Sequence, residues 1–239
     1  MCPQLDDQTA CVDHRSTYRS RLLREPLQHP SHMTLHQHQK ITIAGPVGDL
    51  QALYQAGESG KPAVVVCHPH PQYGGTMRNK VVYWIARAFE DAGCSVLRFN
   101  FRGVEQSEGS WDEGRGEADD ARAALDWLQK QHPDSDLWLA GFSFGCYAGL
   151  MAARHDDRIS RLFAIAPAVN LWSFAFMRGD QRPFTVISGT NDEIVPFEQV
   201  RASVAGQPHI HFHAIDAAGH FFPDHKEQLI DALMSDITL

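Results

Sequence analysis

No stretch of the 239-residue chain approaches the ~18 uninterrupted apolar residues that a membrane-spanning helix needs. The N-terminal segment MCPQLDDQTACVDH has no apolar run of the kind that drives secretion. Basic residues are few: 21 Lys and Arg stand against 29 Asp and Glu, a formal net charge of −8. No Lys/Arg cluster is present to displace counterions from phosphates. Neither nucleic acid nor a membrane is therefore an expected partner. Cysteine is sparse as well. Cys2, Cys11, Cys67, Cys94 and Cys146 are an odd number without metal-type spacing. Reduced thiols in a cytoplasmic protein fit that usage. Internal repeats are absent.

What remains is the composition of an ordinary globular chain, with 43% hydrophobic and 21% charged residues. The length suits one main domain, large enough to bury a core without disulfides or metals. Residues 1–33 lack sustained apolar periodicity and are expected to be a poorly ordered extension. Its His-rich run (His29, His32, His36, His38) has no Cys or carboxylate to complete a coordination set, so it reads as a solvated tail and no metal is expected.

Residues 34–239 are expected to form the domain. KITIAG (40–45) and DLQALYQ (49–55) alternate as strands do and are separated by a Gly/Pro turn, which points to an antiparallel start. AVVVC (63–67), CSVLRFN (94–100), LWLAG (137–141), RLFAIAP (161–167), PFTVISG (183–189) and HIHFHAI (209–215) read as further strands. Helical spacing appears at 76–92, 117–130, 144–154, 197–204 and 223–235. Strands that alternate with helices imply an α/β fold, a mostly parallel sheet of about eight strands with helices on both faces. In such sheets ligands sit at the carboxyl ends of the strands.

Gly141-Phe142-Ser143-Phe144-Gly145 is the only G-x-S-x-G in the chain, and it stands between a strand and a helix. A Ser on such a sharp turn is expected to have positive φ. Glycines two residues before and after then let the backbone close up. A serine hydroxyl needs a neighbouring base to act as a nucleophile. In this arrangement the partners follow in the order Ser, Asp/Glu, His. His220, in AAGHFF (217–222), falls in the loop after the last strand. His155 falls at a helix end, His209, His211 and His213 within a strand, and His225 inside the last helix. Asp192, in GTNDEIVP (189–196), follows an intermediate strand, with Glu193 as its rival. Oxyanion donors are expected at the Phe144 N–H and, in His68-Pro69-His70-Pro71-Gln72-Tyr73-Gly74-Gly75, at the His70 N–H, because Pro69 and Pro71 have none. Tyr73, Gly74, Ile194 and Phe221 flank these loops and are expected to contact substrate.

The segments CHPHPQYGGTMRNKVV (67–82), LRFNFRGVEQSEGSWDEG (97–114), LAGFSFG, GTNDEIVP and AAGHFF together resemble the α/β-hydrolase superfamily. More narrowly, they resemble small, lidless bacterial serine hydrolases related to carboxylesterases and dienelactone hydrolases. The resemblance implies an α/β-hydrolase fold over 34–239, with nucleophile Ser143, acid Asp192, base His220 and no cofactor. Two departures stand out. The family usually has Gly where this chain has Glu105, here taken as a solvated loop residue. Dienelactone hydrolases use a Cys nucleophile where this chain has Ser143, and Cys146 reads as a packing residue. Cap domains of this superfamily are inserted where this chain has only Ala168 to Arg182, room for a loop and one short helix. No cap is expected, and the site should be shallow, with Trp172, Phe174 and Phe176 as an apolar wall or as core. The expected activity is hydrolysis of short-acyl carboxylic esters. Thioester or peptide cleavage on the same triad, and a non-catalytic small-ligand or interaction module, are the alternatives.

Overall fold

The computed structural model describes residues 38–238. The extension assigned to residues 1–33, with His29 and His32, and also His36, lies outside the described residues. The chain runs β1 (Gln39–Gly45), β2 (Gly48–Gln55), β3 (Ala63–Cys67), α1 (Lys80–Asp91), β4 (Ser95–Phe99), α2 (Arg115–Gln131) and β5 (Leu137–Phe142). It continues through α3 (Phe144–Ala153), β6 (Ile159–Ile165), β7 (Phe184–Gly189), α4 (Phe197–Val204), β8 (Ile210–Ile215) and α5 (Lys226–Ile237). The strands form one sheet in the order β1-β2-β4-β3-β5-β6-β7-β8. β1 pairs with β2 and β2 with β4 antiparallel, and every later pair is parallel.

The pattern of burial explains the architecture. Every residue of β3, β4 and β5 is buried, as a strand covered on both faces requires. On one face Val64, Val66 and Phe142 pack under Val81, Ile85 and Phe89 of α1 and Leu229 and Leu233 of α5. On the other, Val65, Leu97 and Leu139 pack under Leu125 and Leu128 of α2, Leu150 of α3 and Val200 of α4. Between β6 and β7 there is only a loop with one 3-10 turn, Ala175–Met177, and no cap domain. Among the described residues no helix is long and apolar enough to cross a membrane.

Local chemistry moved some boundaries. α1 begins at Lys80 rather than near residue 76, because the Asn79 side chain accepts the Val81 N–H at 2.9 Å and caps the helix. His225 precedes α5 as its N-cap residue instead of lying inside it. The loop after β4 is fastened to α2 by a buried ion pair: Arg102 donates to Asp120 through Nη2 at 2.7 Å and through Nε.

Candidate active site

Ser143 joins β5 to α3 with φ +55 and ψ −117, a region that costs a non-glycine residue roughly 1–3 kcal/mol. The turn is held from both sides. The Ser143 N–H donates to Ile165 of β6 at 2.9 Å, and the Ser143 carbonyl accepts the Cys146 N–H at 3.0 Å. A Cβ on Gly141 would stand 2.5 Å from the Gly145 carbonyl oxygen, and one on Gly145 would stand 2.4 Å from the carbonyl oxygen of Cys67. The glycines therefore let the turn close on itself and press against the end of β3.

The loops after β7 and β8 bring two more side chains to Ser143. Its Oγ lies 3.0 Å from Nε2 of His220, and Nδ1 of His220 lies 2.8 Å from Oδ2 of Asp192. A carboxylate only accepts, so Nδ1 carries the proton and the Nε2 lone pair faces the serine hydroxyl. Oδ1 of Asp192 accepts the N–H groups of Ile194 at 2.9 Å and Val195 at 2.7 Å, which fixes the carboxylate plane. Glu193 has a different place: its Oε2 accepts the backbone N–H of His220 at 3.0 Å. The two loops are also stitched together by the Asn191 N–H on the Ala218 carbonyl at 3.0 Å. No cap covers the site, yet Ser143 is only 9% and His220 2% exposed. The two side chains are therefore largely enclosed by their neighbours, with the Phe142 and Phe221 rings 5.2 and 5.1 Å from the imidazole.

The loop after β3 brings His70 over Phe144, ring centroids 5.1 Å apart. The His70 and Phe144 N–H groups donate to no protein acceptor among the described residues, and Phe144 is the first residue of α3, where amides have no partner in the helix. Burial lowers the His70 pKa, so its ring is neutral at neutral pH. The Trp111 and Trp172 rings lie tilted against it, with centroids 4.5 and 5.5 Å away. Gly74 has φ +78, while a Cβ on Gly75 would stand 2.1 Å from the Pro69 carbonyl oxygen. Gly75 thus serves the folding of the loop on itself, and only Gly74 faces open space.

Sequence reasoning missed the part played by His68. It is fully buried, and its Nδ1–H donates to the Pro69 carbonyl at 2.6 Å while Nε2 accepts the Phe101 N–H at 3.0 Å. Burial pushes its pKa down to about 3. It is a neutral strut between the loops after β3 and β4. Trp111, on the second of these loops, was also missed.

Glu105 is an exposed loop residue, as expected, but it also has partners. It has φ +51, pairs with Arg78, and accepts the buried Asn100 Nδ2–H at 2.8 Å. The position where the resembled family has Gly is one where backbone geometry favours Gly. Cys146 is buried, its thiol 3.1 Å from the Gly141 carbonyl oxygen, and burial raises its pKa. Tyr73, Ile194 and Phe221 are exposed on the loops after β3, β7 and β8, beside His70, Asp192 and His220 respectively. Trp172, Phe174 and Phe176 pack against the core, and all three touch Tyr147 of α3. Among the described residues no group of three or more His, Cys, Asp or Glu is arranged to hold a metal ion.

Comparison with known proteins agrees with this architecture. The family model for the alpha/beta hydrolase fold matches residues 62–181. An uncharacterized protein of Rickettsia prowazekii is 38% identical over 205 residues, 81% of this chain and 86% of that protein. A solved serine hydrolase without a lid from Xanthomonas campestris is 38% identical, with a TM-score of 0.77 over 84% of this chain and 94% of its own. An α/β serine hydrolase homologue from Coxiella burnetii is also 38% identical, with a TM-score of 0.76 over 82% of this chain and 96% of its own. With its strand order, its strained serine turn and these relatives, the chain belongs to the α/β-hydrolase family.

Proposed function

We propose that this protein is a serine hydrolase that cleaves carboxylic esters, with Ser143 as nucleophile, His220 as general base and Asp192 as the acid that orients it. The observation that carries this reading is the line from Ser143 Oγ to His220 Nε2 at 3.0 Å and from His220 Nδ1 to Asp192 at 2.8 Å, set on a backbone turn with φ +55. Ser143 Oγ attacks the acyl carbonyl and its proton passes to Nε2. Asp192 keeps the tautomer and stabilises the imidazolium. The Phe144 and His70 amides receive the oxyanion; a missing donor of this kind costs ~10²–10³ in kcat. The Nε2 proton then goes to the departing alcohol, and a water activated by the same nitrogen hydrolyses the acyl-enzyme. No cofactor takes part.

The substrate reading follows from the missing cap. Tyr73, Gly74, Ile194 and Phe221 line the entrance and contact the substrate. Beyond the first few carbons an acyl chain stays partly in water, so each methylene gains well under the ~0.8 kcal/mol of full burial. Esters with roughly two to six acyl carbons are therefore the best substrates. The three described cysteines are free and buried, which suits a reducing compartment, the cytoplasm. The test joins fluorophosphonate labelling, read by peptide mass spectrometry, to a nitrophenyl ester series from acetate to palmitate. Label at Ser143, a short-chain optimum, and a loss of ~10⁶ in kcat for Ser143→Ala are expected. Near-normal turnover by Ser143→Ala would overturn the triad, and an optimum at about twelve carbons or more the substrate reading.

A further inference from the structure

At the opposite end of the sheet, roughly 20 Å from Ser143 by the length of β5, lies an open groove of about 560 Å³. It runs across the strand starts, with Trp138, Arg161 and His209 in its wall. Two nitrogens there are buried without a hydrogen bond. Nε of Arg161 and Nδ1 of His209 have no exposed surface and no hydrogen bond. Among the described residues the Arg161 guanidinium also has no carboxylate at ion-pair distance. It is nevertheless held in place: it lies 5.5 Å from the Trp138 ring and 5.7 Å from the Phe163 ring, so its donors are set before any ligand arrives. Ser160 Oγ accepts the Trp138 indole N–H at 3.1 Å, which leaves its own proton free to be donated.

A native fold rarely leaves two buried polar nitrogens unmatched in one groove; Arg161 Nε is a donor, and His209 Nδ1 is one in the tautomer that carries its proton there. What they lack is an acceptor rich in lone pairs, and the cation among them asks that it be negative. The neighbouring polar groups are already engaged. His211 is bound to Asp236 at 3.0 Å, the Gln181 amide N–H donates to the Asp180 carbonyl at 3.0 Å, and the Asp180 carboxylate is bound to Arg182 and also lies within electrostatic reach of His209. Asp136 stands exposed on the rim, screened by water. We propose that this groove is a second binding site, separate from the catalytic loops, for a small molecule that carries a phosphate or carboxylate group, gripped by Arg161 and His209 with Ser160 as a third donor.

The test is a titration of the full chain, followed by NMR of the arginine Nε–H signals, with phenyl phosphate in one arm and benzoate in the other. The Arg161 signal is identified by its absence in Arg161→Met, a change that keeps an apolar stem over Trp138. It should move saturably. Binding should weaken at least ~10-fold in Arg161→Met and less in Arg161→Lys, which keeps the charge but loses the fork. Asp136→Asn should tighten binding about two- to threefold by removing a like charge. Tighter phenyl phosphate marks a phosphate-bearing ligand, and tighter benzoate a carboxylate. Ester turnover should not change in any of these variants, so the outcome is independent of the triad. Equal affinity of Arg161→Met and the unaltered protein, or an Arg161 signal that stays still while others saturate, would overturn the proposal. Asp136→Asn and Arg161→Lys keep it testable should Arg161→Met unfold.

Discussion

Replacing His68 by Gln should change how stability depends on pH, and the size of the effect follows from the environment of the ring. Desolvation pushes the His68 imidazole from an ordinary 6.5 down to about 3, with the Pro69 carbonyl opposing in part. The unfolded chain therefore takes up a proton below pH ~6.5 that the folded protein refuses until pH ~3. The unfolded state binds more protons across this window, so stability is full above 6.5 and is lost as pH falls. Between pH 7 and pH 5 the loss from this one residue is RT ln[(1 + 10^1.5)/(1 + 10^−0.5)], about 2 kcal/mol. Gln does not titrate. Its carbonyl can still accept the Phe101 N–H, but the Pro69 carbonyl loses its donor, at about 1–3 kcal/mol. His68→Gln should thus be less stable at pH 7, and the gap should nearly close by pH 5. Urea unfolding of both proteins at pH 7, 6 and 5 measures this directly, because every other titrating group cancels in the comparison. A gap that stays constant over this range would refute a neutral, buried His68. The strut also holds the loop that carries the His70 amide, so kcat for an ester should fall with KM little changed.

Three further outcomes test the rest of the site. Asp192→Asn should cost ~10⁴ in kcat by leaving His220 in the wrong tautomer, whereas Glu193→Gln, which touches only the His220 backbone, should cost far less; a reversed order in steady-state kinetics would move the acid by one residue. Glu105→Ala should be less stable than Glu105→Gly by about 1 kcal/mol in thermal unfolding, since both lose the Arg78 and Asn100 contacts but only Ala keeps the strain of positive φ; equal melting temperatures would remove the strain argument. Gly145→Ala should destabilise by about 3 kcal/mol or more, because its Cβ meets the backbone of β3, while Gly74→Ala, with open space around it, should cost about 1 kcal/mol for its φ alone.

Much of this molecule could be read from the chain because its constraints are local. The elbow needs a Ser with positive φ and glycines two residues to either side, and all three positions fall within five residues. Asp192 and His220 each follow a strand whose periodicity is plain. The order of the strands cannot be read in this way, but it hardly matters for bringing Ser143, Asp192 and His220 together: a parallel sheet delivers the loops after β5, β7 and β8 to one end whatever their separation. Glu105 was visible as an oddity, yet its partners could not be guessed, because Arg78 is 27 residues away and no periodicity links the two.

The hidden features share one cause, that the identity of a residue does not say which state it is in. His68 and His70 stand two apart in one motif, both on the loop that follows β3. One ring is a buried strut joined to a backbone amide 33 residues on, and the other packs among aromatics that come from three different loops. Nothing in the local pattern separates them, because the choice is made by whatever lies above each ring once the loops after β4 and β6 have folded over. Arg161 is the same case with the opposite outcome. In the sequence it reads as one more charged residue at the start of a strand. The fold stacks it on Trp138 of the neighbouring strand and, among the described residues, supplies no acid at ion-pair distance, which turns an ordinary arginine into an unmet donor. An unmet group is a property of the assembled surroundings, so a site of this kind is found by asking what each buried polar group is bonded to, after the residues around Ser143 have been accounted for.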